Sequence, residues 1–246
     1  MGKVSPLHKQ NRSKIYEGAS KDVFQMNDEE SALIFFFKDE VRRGEEKITI
    51  SGKGVLNNSV SGFLMEKIDM VGIDHHFLEK INMREQLVQI LDIIPIQVKI
   101  SNVALDNYVA NYGVQSGYVF ETPMIDFRAK NKTGLYPPIN ENQIEGFYWA
   151  SKEEIKQIKK ISLRVNDFLT GFFAGIGLRL VECSLEFGRV FNGEEFIIML
   201  ADEISIETCI LWDLITNQKY DIDTIFQHQN PIMIYKEIAR RVGIKV

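Results

Sequence analysis

The residues best suited to chemistry lie in two short stretches. In the first, Glu182, Ser184 and Glu186 alternate with Val181, Cys183, Leu185 and Phe187. A strand points successive side chains to opposite faces, so the acidic residues share one face and the apolar residues the other. An Asn192-Gly193 turn signal then leads through an apolar run to Ala201-Asp202-Glu203. Convergence of Glu186 and Asp202 would make a site for Mg2+, which prefers hard oxygen ligands and keeps some of its waters. Ideal pairing through a two-residue turn puts Asp202 on the wrong face, so a wider loop or a bulge near the strand end is required. A solvated acidic strand face is the competing reading. The second stretch is Gly18-Ala19-Ser20-Lys21, a small-residue turn between strand-like segments. Its amides and Lys21 could face phosphates, although any tight turn accepts such residues.

Other candidates carry less. Gly171, Gly175 and Gly177 close a helix, whereas phosphate binding uses a helix N-terminus. His75-His76 have no ligand-spaced partners and read as loop residues, Cys183 reads as a core thiol, and Arg42-Arg43 and Arg240-Arg241 read as solvated surface pairs.

The elements that must position these residues follow from periodicity. Strands are expected over 22–26, 33–37, 47–51 and 93–103, the last with Ile94, Ile96, Val98 and Ile100 alternating against polar partners. Asn57 or Asn58 is expected to cap a helix carrying Val60, Phe63, Leu64, Ile68 and Val71, closed by Gly72. A polar loop over 131–142, with Pro137 and Pro138, is a candidate mobile cover. Ser151 with Glu154 forms a capping box, opening a helix whose stripe runs Ile155, Ile158, Val165, Phe168, Leu169, Phe172 and Phe173. A hairpin over 178–191 and 194–204 follows, then a last helix over 231–242. Strands first, then helices mixed with a hairpin, indicate an α+β protein with its sheet covered on one face.

Composition limits the functional class. The chain has 246 residues, 45% hydrophobic and 26% charged, with a formal charge of −5, values that fit a globular protein and exclude a generally basic nucleic-acid coat. Two cysteines are too few for a disulfide scaffold or a four-thiolate zinc site, and a reducing cytoplasm is the simplest setting. Residues 1–14 read as a polar, flexible leader and not a signal peptide. The longest apolar runs, 32–37 and 196–201, fall far short of the ~20 residues of a spanning helix; no membrane or nucleic-acid partner is expected.

Several blocks together resemble the SAICAR synthetase (phosphoribosylaminoimidazole-succinocarboxamide synthase) family, in its bacterial form. They are Ile15-Tyr16-Glu17-Gly18, Gly52-Lys53-Gly54-Val55-Leu56-Asn57-Asn58, Asn82-Met83-Arg84-Glu85-Gln86 and Ile94-Pro95-Ile96. Further on come Arg164-Val165-Asn166-Asp167, Leu185-Glu186-Phe187-Gly188, Ala201-Asp202-Glu203-Ile204-Ser205 and Leu211-Trp212-Asp213. The resemblance spans about 15–244. It implies a two-part α+β fold: an ATP-clamping N-terminal part over 15–100, its antiparallel sheet resembling a kinase small lobe, and a substrate- and metal-binding part over 101–246. It implies a cytoplasmic, homodimeric ligase of purine biosynthesis. ATP would phosphorylate the carboxylate of carboxyaminoimidazole ribonucleotide, and the amine of L-aspartate would displace the phosphate. Gly18, Lys21 and Lys130 are implied at ATP, and Glu186 and Asp202 at Mg2+.

The chain departs from the family pattern where the ribonucleotide is expected. Ser101 and Ile210 stand for arginines and Asn107 for a serine; Ala19, Lys132, Tyr136, Ser184 and Thr224-Ile225-Phe226 also differ from the usual residues. Arginine makes bidentate, charge-assisted bonds to phosphate, each about 1.5–3 kcal/mol, so losing two costs several powers of ten in affinity. Two expectations therefore stand: an ATP-dependent ligase, or a diverged paralogue that binds Mg-nucleotide with another substrate or none.

Overall fold

The computed structural model describes residues 12–26, 31–131 and 136–245. Most of the leader and residues 132–135 of the expected loop, Lys132 included, lie outside the described residues.

Hydrophobic alternation builds a five-stranded antiparallel sheet from β1 (Arg12–Glu17), β2 (Lys21–Met26), β3 (Ala32–Phe37), β6 (Phe77–Lys80) and β7 (Glu85–Gln89), ordered β1-β2-β3-β7-β6. Between β3 and β6 stand a separate hairpin, β4 (Glu40–Arg43) with β5 (Glu46–Thr49), and helix α1 (Lys53–Asp69). The second sheet is ordered β10-β9-β8-β11-β13-β14, from β8 (Asp92–Val103), β9 (Val119–Ala129), β10 (Pro138–Ile139), β11 (Leu178–Phe191), β13 (Cys209–Asp213) and β14 (Lys219–Tyr220). The 14-residue β11 pairs β8 along one edge; on the other, its first half pairs β13 and its second half β12 (Phe196–Ala201).

Helix α4 (Lys152–Gly175) starts at the expected capping box: Ser151 Oγ accepts from the Glu154 amide at 3.2 Å and Glu154 Oε2 from the Ser151 amide at 2.7 Å. Its Ile155, Ile158, Val165, Leu169 and Phe173 are buried in one core with Ile96, Val98, Ile100, Leu180 and Phe187 of the sheet. Burying such side chains contributes about 1.5–3 kcal/mol each. Short helices α2 (Asp106–Tyr112), α3 (Glu141–Gly146) and α5 (Ile222–Gln227) occupy connections, and α6 (Ile232–Val242) packs against α1.

Helix α1 differs from the sequence expectation. It begins at Lys53, so Asn57 and Asn58 are buried within it and cap nothing. The free amides of Gly52 and Gly54 are taken by the Asp39 carboxylate, at 3.2 and 2.9 Å. Arg84 grips the same carboxylate through two bonds of 2.9 and 2.7 Å. A cap donated from a distant loop leaves no local signal. No helix of the described residues is long and apolar enough to cross a membrane.

Candidate active site

The Gly18–Lys21 turn joins β1 to β2. The Gly18 amide donates to the Lys21 carbonyl at 2.9 Å, so it closes the turn instead of facing a ligand. A Cβ on Gly18 would lie 2.8 Å from that carbonyl oxygen, closer than real Cβ atoms approach, which explains the glycine. Lys38 fixes the turn from below, its Nζ donating to the Gly18 carbonyl at 2.6 Å and its amide to that of Ser20 at 2.8 Å. Lys21 points inward. Its ammonium is ion-paired with Asp202, bonded to Glu203 Oε1 at 2.8 Å, and lies 5.4 Å from the Phe35 ring centre. Burial disfavours that charge, but Asp202 and Glu203 together raise the ammonium above the usual lysine range. Ser20 Oγ also donates to Glu203 Oε1, at 2.7 Å.

The hairpin does bring Glu186 and Asp202 to one place. The connection is wider than two residues: Phe191 pairs Phe196, and Asn192 Oδ1 accepts the amides of Glu194 and Glu195, both at 2.9 Å. Widening by two leaves the facing unchanged, with Glu186 opposite Ala201. The remaining turn is made by Asp202 itself, whose φ of 64° is left-handed, a conformation Asp and Asn tolerate better than most residues. His76 braces this bend, its Nε2 donating to the Asp202 carbonyl at 2.8 Å. Burial lowers the His76 imidazole to about 4, so it is neutral, and a carbonyl partner requires the proton on Nε2. Sequence reasoning placed this histidine in a loop and missed the role.

The acidic face is not solvated. Glu182 and Glu186 are 6% and 8% exposed. Burial, then the Asp202 carboxylate, push Glu186 up to about 7, with Lys130 opposing through a direct ion pair. Asp202 moves down: Lys21 and Lys130 outweigh its burial. Glu203 Oε2 is buried without a partner. A divalent cation would relieve this crowding of negative charge. Among the described residues no three His, Cys, Asp or Glu side chains form a metal cage; an ion held by Glu186 and Asp202 would need water or phosphate oxygens to complete its shell.

Two cavities meet at Ala19, Ser20, Asp202. The first, about 410 Å³, has an apolar wall of Val23, Leu33, Phe35 and Val88 from β2, β3 and β7, with Lys21, Lys130, Glu186 and Asp202 at its polar end. Such a slot suits a flat base with a charged tail. Tyr136, singled out as a departure, also lines it.

The second cavity, about 330 Å³, contains Glu182, Ser184, Glu207, Ile210, Ile222 and Ile225. Ser101, Glu182 and Ile210 are register partners across β8, β11 and β13, so the two positions that lack arginine flank one buried carboxylate. Ser101 Oγ donates to Glu182 Oε2 at 3.1 Å, and Lys99 reaches Glu182 Oε1 at 2.8 Å. Asn107, on α2, lines neither cavity. Two wall groups had no sequence signal: Glu207, paired at 2.5 Å with the fully buried Lys53, and Arg42, which is exposed as expected and also lines this cavity.

The geometry has close counterparts among known proteins. The SAICAR synthetase family model matches residues 14–242. The phosphoribosylaminoimidazole-succinocarboxamide synthase of Rickettsia massiliae is 49% identical over 236 residues, covering 95% of this chain and 100% of that protein. The synthase of that name from Ehrlichia chaffeensis superposes with a TM-score of 0.89 at 38% identity, covering 95% and 100% of the two chains. A SAICAR synthetase solved in complex with ADP gives 0.87 at 33% identity, covering 93% and 97%. With its sheets, nearly all of its length and its sequence matched in this way, the chain belongs to the SAICAR synthetase family, a family of ligases.

Proposed function

We propose that the protein is an ATP-dependent carbon–nitrogen ligase that joins L-aspartate to carboxyaminoimidazole ribonucleotide, giving SAICAR, ADP and phosphate. The observation that carries this reading is the junction of the two cavities: Asp202 lines both, and Lys21, Lys130 and Glu186 line the first cavity beside it, a charged set suited to a nucleotide's phosphates next to a second substrate. A carboxylate oxygen of the ribonucleotide attacks the γ-phosphorus, the bond to the β-phosphate oxygen breaks, and ADP leaves. The aspartate amine then attacks the acyl carbon, the carbon–oxygen bond to phosphate breaks, and the departing phosphate takes the amine's proton.

Phosphoryl transfer gains most from positioning and from fixed positive charge. Lys21 and Lys130 supply that charge, each held by carboxylates so that neither swings into solvent. The apolar wall orients the base, and exclusion of water when the substrates fill the two cavities would limit hydrolysis of the acyl phosphate. Glu186 and Asp202 are the residues that would hold Mg2+, which when bound neutralises phosphate charge. On this reading the enzyme works in the cytoplasm as a homodimer.

Labelled substrate tests the route. With 18O in the ribonucleotide carboxylate, one label is expected in inorganic phosphate; product formed with unlabelled phosphate would exclude an acyl phosphate. A second reading, a paralogue with another substrate, is favoured by one observation: Ser101 and Ile210 leave Glu182 without guanidinium neighbours on either side.

A further inference from the structure

The acidic wall of the second cavity is compensated almost everywhere from behind. Lys99 pairs Glu182, Lys21 pairs Asp202 and Glu203, Lys53 pairs Glu207, and Asp221 accepts the Thr224 amide at 2.8 Å as the cap of α5. These cations are engaged by protein carboxylates. Arg42 is different: among the described residues it is the one cationic side chain lining this cavity. It projects from the β4–β5 hairpin, across from the β11 and β13 positions. Its nearest carboxylate, Glu40, is 3.6 Å away and is held more closely by Lys47, at 2.6 Å. Neighbouring Arg43 is tied to Glu46 at 2.6 Å and Asp223 at 3.0 Å, so it does not compete for a ligand.

Resting on the ligase reading above, we infer that Arg42 is the anchor for the phosphate monoester of the ribonucleotide, replacing from the hairpin side the guanidiniums missing at Ser101 and Ile210. A guanidinium offers two parallel donors to a phosphate, and the hairpin needs no rearrangement of the sheet to present it. An anchor on a two-stranded hairpin also seats the phosphate at the cavity rim, while the imidazole carboxylate reaches the junction at Ser20 and Asp202.

Titration calorimetry with carboxyaminoimidazole ribonucleotide and its dephosphorylated riboside tests the assignment. The protein is expected to bind the ribonucleotide about 10–100-fold more tightly than the riboside, the range for a charge-assisted pair. Arg42→Ala should abolish that preference without changing riboside or ATP affinity, and Arg42→Lys should restore part of it. A preference that survives Arg42→Ala overturns the inference and leaves the ligase reading standing. A protein that binds ATP but neither imidazole compound overturns both.

Discussion

Lys53→Met removes a cation from the interior while keeping most of the side chain's length and apolar volume. Lys53 is 0% exposed; its Nζ donates to the Glu40 carbonyl at 2.8 Å and pairs with Glu207 at 2.5 Å, tying the hairpin and α1 to the segment before β13. Burial already raises the Glu207 carboxyl, with Lys53 the leading opposing charge. Without Lys53 a buried carboxylate is left uncompensated, which costs about 3–5 kcal/mol. At about 2–4 °C per kcal/mol for a chain of this size, Tm should fall by roughly 6–20 °C. Because the folded Glu207 carboxyl then titrates above its unfolded value, stability is lost as pH rises, and the deficit should be smaller at pH 5 than at pH 8. Replacing both partners, as Lys53→Met with Glu207→Gln, removes the stranded charge and should recover most of the loss. Circular dichroism during heating and urea titration measures all three proteins. A single variant within about 1 kcal/mol of the parent, or a double variant no more stable than the single, would refute the buried-pair reasoning.

Four further outcomes are expected. Gly54→Ala should destabilise by about 2 kcal/mol or more, since its Cβ would sit on the Phe37 carbonyl oxygen, and backbone there cannot step aside; an unchanged urea midpoint would contradict the α1 contact. Glu186→Gln and Asp202→Asn should each weaken Mg2+-dependent ATP binding at least tenfold in protein that still folds, since Asn tolerates the left-handed backbone of Asp202 and Lys21 keeps Glu203 as a partner; equal ATP affinity in calorimetry would remove the metal role. Cys183 and Cys209 are buried opposite one another, burial pushing the first well up and the second to about 12. A thiol reagent at pH 8 should therefore modify neither until the protein unfolds. Ile210→Arg should tighten the ribonucleotide about tenfold or more, because the new guanidinium enters the second cavity beside Glu182; no gain in Arg42→Ala protein would contradict the placement of the ribonucleotide in this cavity.

Legibility in the sequence tracked the range of the interactions. Local features were readable: the Ser151 capping box, the alternation along β8 and β11, and the place of the turn at Asn192, though not its four-residue width, all depend on residues a few positions apart. The start of α1 was not, because its cap is Asp39, and Asn57 and Asn58 look like caps while lying inside the helix. Period-two reasoning rightly put Asp202 on the wrong face; it had no means of placing a left-handed residue at the strand end. Ser101 and Ile210, distant in sequence, come to flank Glu182 only through the strand register. Arg42 is exposed, as its sequence pattern indicates, and its place on the second cavity follows only from the fold.

The central claim is that this pair of cavities couples ATP cleavage to amide formation between two other substrates. ADP release from the purified protein, with ATP, Mg2+, L-aspartate and carboxyaminoimidazole ribonucleotide and with each omitted in turn, measures it most directly. The account predicts release that requires both the ribonucleotide and aspartate. ADP release independent of the ribonucleotide, or none despite measurable ATP binding, would contradict it.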